Sequence, residues 1–290
     1  MTAETSGELP KSGLLLVGMG PGRLGAMTVE AKNAAKSADY RRYEAYTALW
    51  PENELNALEK EVGTIQKVMR PEVEDPSELL SLAKESLVAL LVVGDPLQAT
   101  THVDLQLQAI DAGVKCLVFH GISITTLVTG SVGLSNYRFG RQTTITYPYG
   151  GWVATSPLEV IAVNLLQNQH TLALLDLDPT GAGTGQQIPM QPSDAVKSLK
   201  LMRDKLEESV NNLDSATPLE AMRSEACKSF LGDDLNMRAV VLCADMGTND
   251  EKITYTTVGN LSKIKGGRLN CLIFPAITSE VEERALLRWK

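Results

Sequence analysis

In the first half of the chain, short aliphatic runs alternate with segments whose apolar residues recur at helical spacing. No other feature narrows the fold as much. "LLLVG" (Leu14 to Gly18), "LVALLVVG" (Leu87 to Gly94) and "KCLVFHG" (Lys115 to Gly121) have the length and composition of strands. "TVEAKNAAKSAD" (Thr28 to Asp39) and "TTHVDLQLQAIDAG" (Thr100 to Gly113) have the pattern of helices. In the latter, Thr101 with Asp104 three residues on fits a capping box, and Gly113 suits a left-handed helix end. Strand–helix–strand alternation predicts βαβ units and a mainly parallel sheet.

"TTITYPYGGW" (Thr143 to Trp152) breaks the rhythm with Pro148, Gly150 and Gly151. The expected organisation is a tail over 1–12, an N-terminal α/β domain over 13–147 and a C-terminal α+β domain over 148–290. The second domain should hold a helix in "SPLEVIAVNLLQNQ", a strand in "TLALLDLD", helices over Asp194 to Glu208 and Pro218 to Leu231, strands in "RAVVLCADMG", "KITYTTV" and "RLNCLIFPAI", and a last helix in "SEVEERALLRW". The loop "PTGAGTGQQIP" is rich in glycine but lacks the Gly-Lys-Ser/Thr ending of a phosphate-binding loop.

Composition excludes several function classes. The 290 residues carry 27 Lys and Arg against 35 Asp and Glu, a formal charge of −8, which argues against a general nucleic-acid binder. The four cysteines (Cys116, Cys227, Cys243, Cys271) form no C-x-x-C pair, and the three histidines are dispersed. Neither a disulfide framework nor a metal site is expected. The first twelve residues lack the apolar core of a signal peptide, and no apolar run reaches the ~18 residues of a membrane span. A cytoplasmic location without membrane contact is the expectation.

Two segments carry the chemistry. "LLLVGMGPGRLGAMT" is a strand followed by a glycine turn, but counted from Gly18 the dinucleotide fingerprint fails at Arg23, and the helix begins only near Thr28. "GDPLQATTH" (Gly94 to His102) sets an acid, a proline and three hydroxyl or imidazole groups where an apolar strand leaves its sheet. Open α/β sheets bind ligands at such strand ends. Asp95 reads either as a turn residue before Pro96 or as an acceptor for a ligand amine or hydroxyl. Thr100 and Thr101 read as helix starters, and His102 as a structural or a catalytic histidine. Arg138 and Arg141 read as carboxylate ligands or solvent-facing charges.

Glycines at this spacing followed by Met-Thr and a helix resemble the tetrapyrrole-methylase group of S-adenosylmethionine enzymes. "EAYT" (Glu44 to Thr47), "GDPLQATTH", "HGISI" (His120 to Ile124), "YRFGR" (Tyr137 to Arg141), "YPYGGW" and "TSPLEVI" resemble its diphthine synthase branch. The resemblance implies a two-domain tetrapyrrole-methylase-like fold, a homodimer, and S-adenosyl-L-methionine as methyl donor held in the cleft between the domains. It implies donor contacts at Pro21, Asp95, Gln98, Ser123, Ile124, Leu175, Cys243 and Asn270, with the last two departing from the branch's usual residues. It assigns no catalytic side chain. The substrate it implies is elongation factor 2 bearing a 3-carboxy-3-aminopropyl histidine, methylated three times on the amino nitrogen to give diphthine. A tetrapyrrole or ribosomal-RNA methyltransferase of the same fold, a nicotinamide oxidoreductase, and a non-catalytic binding protein remain as alternatives.

Overall fold

The computed structural model describes residues 9–185 and 187–290. Of the expected tail, residues 1–8 lie outside the described residues, while Leu9 packs on a hydrophobic core. The chain forms two compact units, one running to Ile124 and taking in Ala182–Gly185, the other comprising Thr125–Gly181 and the chain after Gly185.

The first unit contains β1 (Gly13–Gly18), α1 (Val29–Ser37), β2 (Tyr40–Glu44), α2 (Glu52–Val62), β3 (Ile65–Val68), α3 (Arg70–Glu74), α4 (Ser77–Glu85), β4 (Leu87–Val92), α5 (His102–Asp111) and β5 (Cys116–Phe119). Its sheet has the order β3-β2-β4-β1-β5, and every pairing is parallel. Strands β1 and β4 are buried along their whole length because both faces are covered. Leu15, Val17, Ala89 and Leu91 pack with Ala31, Ala35 and Leu58 of α1 and α2. The alternate residues Leu14, Leu16, Val88 and Leu90 pack with Leu80, Ala83, Leu105 and Ala109 of α4 and α5.

The second unit contains all but the first residue of α6 (Ile124–Ser131), then β6 (Thr143–Ile145), α7 (Ser156–Leu166), β7 (Thr171–Leu175), α8 (Pro192–Ser209), α9 (Pro218–Gly232), β8 (Ala239–Ala244), β9 (Lys252–Thr257), α10 (Val258–Leu261), β10 (Asn270–Phe274) and α11 (Glu280–Leu287). Its sheet, β6-β7-β10-β8-β9, is parallel only between β6 and β7. Its core joins Ile145, Ala173, Leu242 and Phe274 of the strands to Leu158, Ile161, Leu199 and Phe230 of α7, α8 and α9. The fold is thus a parallel α/β unit followed by a mixed one, as the alternation predicted.

Two local expectations are revised, and one gap is filled. Residues 125–147, expected in the first domain, belong to the second unit, because β6 pairs with β7 and Ile145 joins that unit's core. Thr101 does occupy the N-cap position of α5, but its side chain caps nothing, and the Asp104 carboxylate accepts from Gln108 instead, at 2.6 Å. The segment from α2 to α4, for which the sequence offered no assignment, supplies three helices and the edge strand β3. Gly113, by contrast, does take the left-handed conformation, with φ of +72°. Among the described residues no helix is long and apolar enough to cross a membrane.

Candidate active site

Strands β4, β1 and β5 lie side by side, and each runs into a glycine at or just past its carboxyl end: Gly94, Gly18 and Gly121. A Cβ on Gly18 would stand 2.4 Å from the Gly121 nitrogen and 2.8 Å from the Gly94 oxygen. One on Gly121 would meet the Gly94 oxygen at 2.2 Å. The three strand ends therefore approach more closely than any side chain permits. Gly20 and Gly94 exchange backbone hydrogen bonds of 3.1 and 2.9 Å, which binds the Pro21 turn to the Asp95 turn.

Counted from Gly20 rather than Gly18, the turn does spell G-x-G-x-x-G, so the spacing alone does not exclude a dinucleotide. The geometry does. A dinucleotide site aims free N–H groups of a helix N-terminus at the pyrophosphate. Here the turn passes into a short 3-10 segment, Leu24–Ala26, and α1 begins at Val29. Thr28 caps that helix, its hydroxyl accepting from the Ala31 N–H at 3.1 Å. The Leu24 N–H donates to the Glu54 carboxylate at 2.8 Å, and an acid in that place repels phosphate.

Asp95 is 4% exposed, and both its oxygens are engaged. One accepts from the Leu97 N–H at 2.9 Å, the bond of a turn residue. The other accepts from the Gly121 N–H at 3.3 Å and from His120 Nδ1 at 2.8 Å. Both readings of Asp95 are therefore incomplete: it shapes its own turn and reaches across to the end of β5, where it holds an imidazole. The sequence placed His120 at the head of the "HGISI" block but gave it no role. The signal was an acid and a histidine that each end an apolar strand, and it becomes readable once β4 and β5 are known to flank β1. Beside this pair, Ser123 is buried, Ile124 opens α6, Pro21 is half-buried and Gln98 is exposed.

His102 is buried and structural. Its Nδ1 lies 3.0 Å from the Pro96 carbonyl, which can only accept, so Nδ1 carries a proton. Its Nε2 lies 3.2 Å from Glu44 Oε2, at ion-pair distance but outside good hydrogen-bond alignment. The contact attracts only with a proton between the two atoms. The other Glu44 oxygen accepts from the Thr47 N–H, at 3.1 Å, and from its hydroxyl. Thr47 of "EAYT" thus fixes Glu44 beside His102 of "GDPLQATTH", whose other nitrogen bonds the Pro96 carbonyl next to Asp95.

In the second unit Leu175 ends β7 and is buried. Cys243 is buried in β8 opposite Cys271 of β10, and this thiol contact together with burial pushes its pKa well up. The Asn270 side chain accepts from the Gly267 N–H at 2.8 Å and donates to the Met190 and Gly267 carbonyls at 3.2 Å each. Asp176 accepts from the Tyr147 N–H, at 3.1 Å, and from the Tyr149 hydroxyl, which anchors the "YPYGGW" block.

Arg138 proves to be a carboxylate ligand. It donates to Glu282 at 2.5 Å and to the Ile277 carbonyl at 2.6 Å, while Arg141 is exposed. Glu282 also accepts from the Ser135 and Ser279 N–H groups, at 3.0 and 2.8 Å, and from His170 Nε2 at 3.2 Å. His170 Nδ1 accepts from the Ala276 N–H at 3.0 Å, so this ring is neutral with its proton on Nε2. Burial lowers the His170 pKa in agreement.

The edge of the first sheet offers closely approaching backbone, a buried carboxylate, a buried serine and an exposed imidazole, with no phosphate cradle. Comparison with known proteins gives the chain its family. The family model described as Tetrapyrrole (Corrin/Porphyrin) Methylases matches residues 13–262. The diphthine synthase of Methanocorpusculum labreanum is 32% identical over 269 residues, covering 91% of this chain and 93% of that protein. The diphthine synthase of Methanocaldococcus jannaschii is 30% identical over 276 residues, covering 94% and 97%. A crystal structure of diphthine synthase superimposes with a TM-score of 0.75 at 29% identity over 95% of each chain. The chain belongs to the tetrapyrrole methylase family, in its diphthine synthase branch, and is an S-adenosylmethionine-dependent methyltransferase.

Proposed function

We propose that this methyltransferase acts on elongation factor 2, transferring methyl groups to the amino nitrogen of a 3-carboxy-3-aminopropyl histidine. The observation that carries the reading is the strand edge itself, where Asp95, Ser123 and three glycine-lined backbone ends converge without a phosphate cradle. S-adenosylmethionine supplies an electrophilic methyl on a sulfonium, and it carries an ammonium, a carboxylate and a ribose diol but no phosphate. Such a molecule calls for acceptors, backbone groups and apolar walls, and the residues here fit it.

Pro21, Asp95, Gln98, Ser123 and Ile124 would hold the donor from the first unit. Leu175, Cys243 and Asn270 are the further donor contacts that the family resemblance implies. The Cys243 thiol is buried and the Asn270 amide is committed to its own loop, so these two would act through the main chain.

The amino group attacks as the free base: its lone pair forms the N–C bond as the C–S pair returns to sulfur. The protein's task is to hold nitrogen, carbon and sulfur in line and to exclude water. Three rounds give a trimethylammonium, which can lose no further proton and ends the sequence on nitrogen. The enzyme would work as a homodimer in the cytoplasm, with a protein substrate and neither nucleic acid nor membrane.

Mass spectrometry tests the reading. Purified protein, methyl donor and elongation factor 2 carrying the aminocarboxypropyl histidine should give a mass increase of three methyl groups, and unmodified elongation factor 2 should gain none. Equal methylation of both forms refutes the substrate. By calorimetry S-adenosylhomocysteine should bind at micromolar levels and NADH should not; the reverse would refute the donor.

A further inference from the structure

The chain has three histidines, and each has a carboxylate beside it, yet only one of the rings is built to exchange a proton. His102 is 1% exposed, its two nitrogens facing the Pro96 carbonyl and Glu44. His170 is fully buried, with one nitrogen on the Ala276 N–H and the other on Glu282. His120 differs. Its side chain is 70% exposed, its Nδ1 rests 2.8 Å from the buried Asp95, and its Nε2 makes no hydrogen bond among the described residues. It stands between the Gly121 backbone and the end of β5, three residues before the buried Ser123.

A carboxylate can only accept, so the bond to Asp95 places the proton of a neutral ring on Nδ1 and leaves the Nε2 lone pair outward. A buried acid that fixes the tautomer and direction of an exposed imidazole is the orienting half of a catalytic dyad. The parallel-sheet edge on which it stands is where such folds bind their ligands.

We propose that His120 is the general base of this methyltransferase, with Asp95 as its positioning residue. The inference rests on the amino-acceptor reading above. Near neutral pH the substrate amine is an ammonium without a lone pair. His120 Nε2 takes one ammonium proton and passes it to water, which the exposure of the ring allows. The freed lone pair then forms the N–C bond while the C–S pair leaves with the thioether sulfur. The monomethyl and dimethyl products each carry a proton again, and the same ring removes it before the next transfer. After the third transfer no proton remains. Three deprotonations and three transfers balance, and no other reactant is needed.

The test uses His120→Asn, whose side-chain amide can still donate to Asp95 but has no basic nitrogen. Calorimetry with S-adenosylhomocysteine should give an affinity within about twofold of the parent. Single-turnover methylation of aminocarboxypropyl elongation factor 2 should slow by about 100-fold or more. In His120→Ala, added imidazole should restore part of the rate in proportion to its concentration. Nitrogen-15 spectra of the ligand-free protein should show His120 as the Nδ1-protonated neutral tautomer.

A His120→Asn enzyme with a parental rate overturns the proposal. So does a donor affinity that falls in step with the rate, which would make the ring part of the donor site alone. A ring protonated on Nε2 overturns it as well. If the parent enzyme binds S-adenosylhomocysteine and leaves the aminocarboxypropyl substrate untouched, the acceptor reading falls and the base falls with it. An active parent with an equally active variant removes only the base.

Discussion

Each unit contains a buried carboxylate bonded to a histidine, and the two do different work. In the first, Asp95 holds a ring whose far side is open; in the second, Glu282 holds a ring buried on every side, together with the Arg138 guanidinium. Asp95 and Glu282 are each 4% exposed, so burial of the acid does not separate the two cases. The far nitrogen of the ring does. His170 spends it on the Ala276 N–H, which ties β7 to the segment after β10, whereas His120 leaves it free for chemistry. The Glu282 network joins Ser135, Arg138, His170 and Ser279 and so fastens α11 to the rest of its unit. One pairing serves as a staple where it is closed and as a tool where it is open.

The largest expected effect breaks the staple. Glu282→Ala leaves a half-buried guanidinium, a buried imidazole N–H and two backbone N–H groups without their acceptor. Breaking a buried pair from one side costs about 3–5 kcal/mol, measurable by chemical denaturation. His120→Ala, at an exposed ring, should change stability by less than about 0.5 kcal/mol. Equal losses would erase the distinction between the two regions.

Acidification sharpens the same contrast. Burial of Glu282 opposes its charge, but hydrogen bonds from the Ser279 and Ser135 backbone, from His170 and from the Ser279 hydroxyl outweigh it and pull its pKa down from 4.5 to about 2. A carboxyl whose pKa is depressed by folding stabilises the native state above its unfolded value. That contribution, of order 3 kcal/mol, is lost as pH falls from about 4.5 toward 2. The His170 pKa is also lowered, by burial first, so the unfolded chain binds that proton more readily and stability declines below about pH 6.5 as well. Glu282→Gln should flatten the lower part of the stability–pH curve. An unchanged slope between pH 4.5 and 2 would show that Glu282 is not the group responsible.

Asp95→Ala tests the open pair. Loss of a charge-assisted hydrogen bond costs about 1.5–3 kcal/mol, which predicts a ten- to hundredfold weaker affinity for S-adenosylhomocysteine by calorimetry. The His120 resonances should broaden as the ring loses its anchor. Parental affinity would reduce Asp95 to a turn residue.

Arg141→Ala should be the smallest perturbation. The residue is exposed, and its backbone N–H, which donates to Asn164 at 3.2 Å, survives the substitution. A change within about 0.5 kcal/mol is expected, against a clear loss for Arg138→Ala in the same melting experiment.

The sequence by itself determined the layers. Aliphatic runs without polar alternation require strands covered on both faces, and β1 and β4 are such strands. Gly113 and the start of α1 near Thr28 were legible because helix ends are governed by a few neighbouring residues. Thr101 fits the same local rule, yet its side chain caps nothing. The neighbouring His102 is clamped between Pro96 and Glu44, contacts that no local pattern contains. The division into units was read from Pro148 and the glycines after it, a local break. Tertiary structure set it at Ile124, because a unit is defined by which residues share a core, and Ile145 shares one with Leu158 and Ile161.

The site divides in the same way. Gly94, Asp95 and Pro96 follow one another in the chain, so a polar strand end was visible at once. Asp95 and His120 stand 25 residues apart, and only the strand order brings them together, because β4 and β5 flank β1 and end at the same edge. Strand order depends on long-range burial, which no short stretch of sequence encodes.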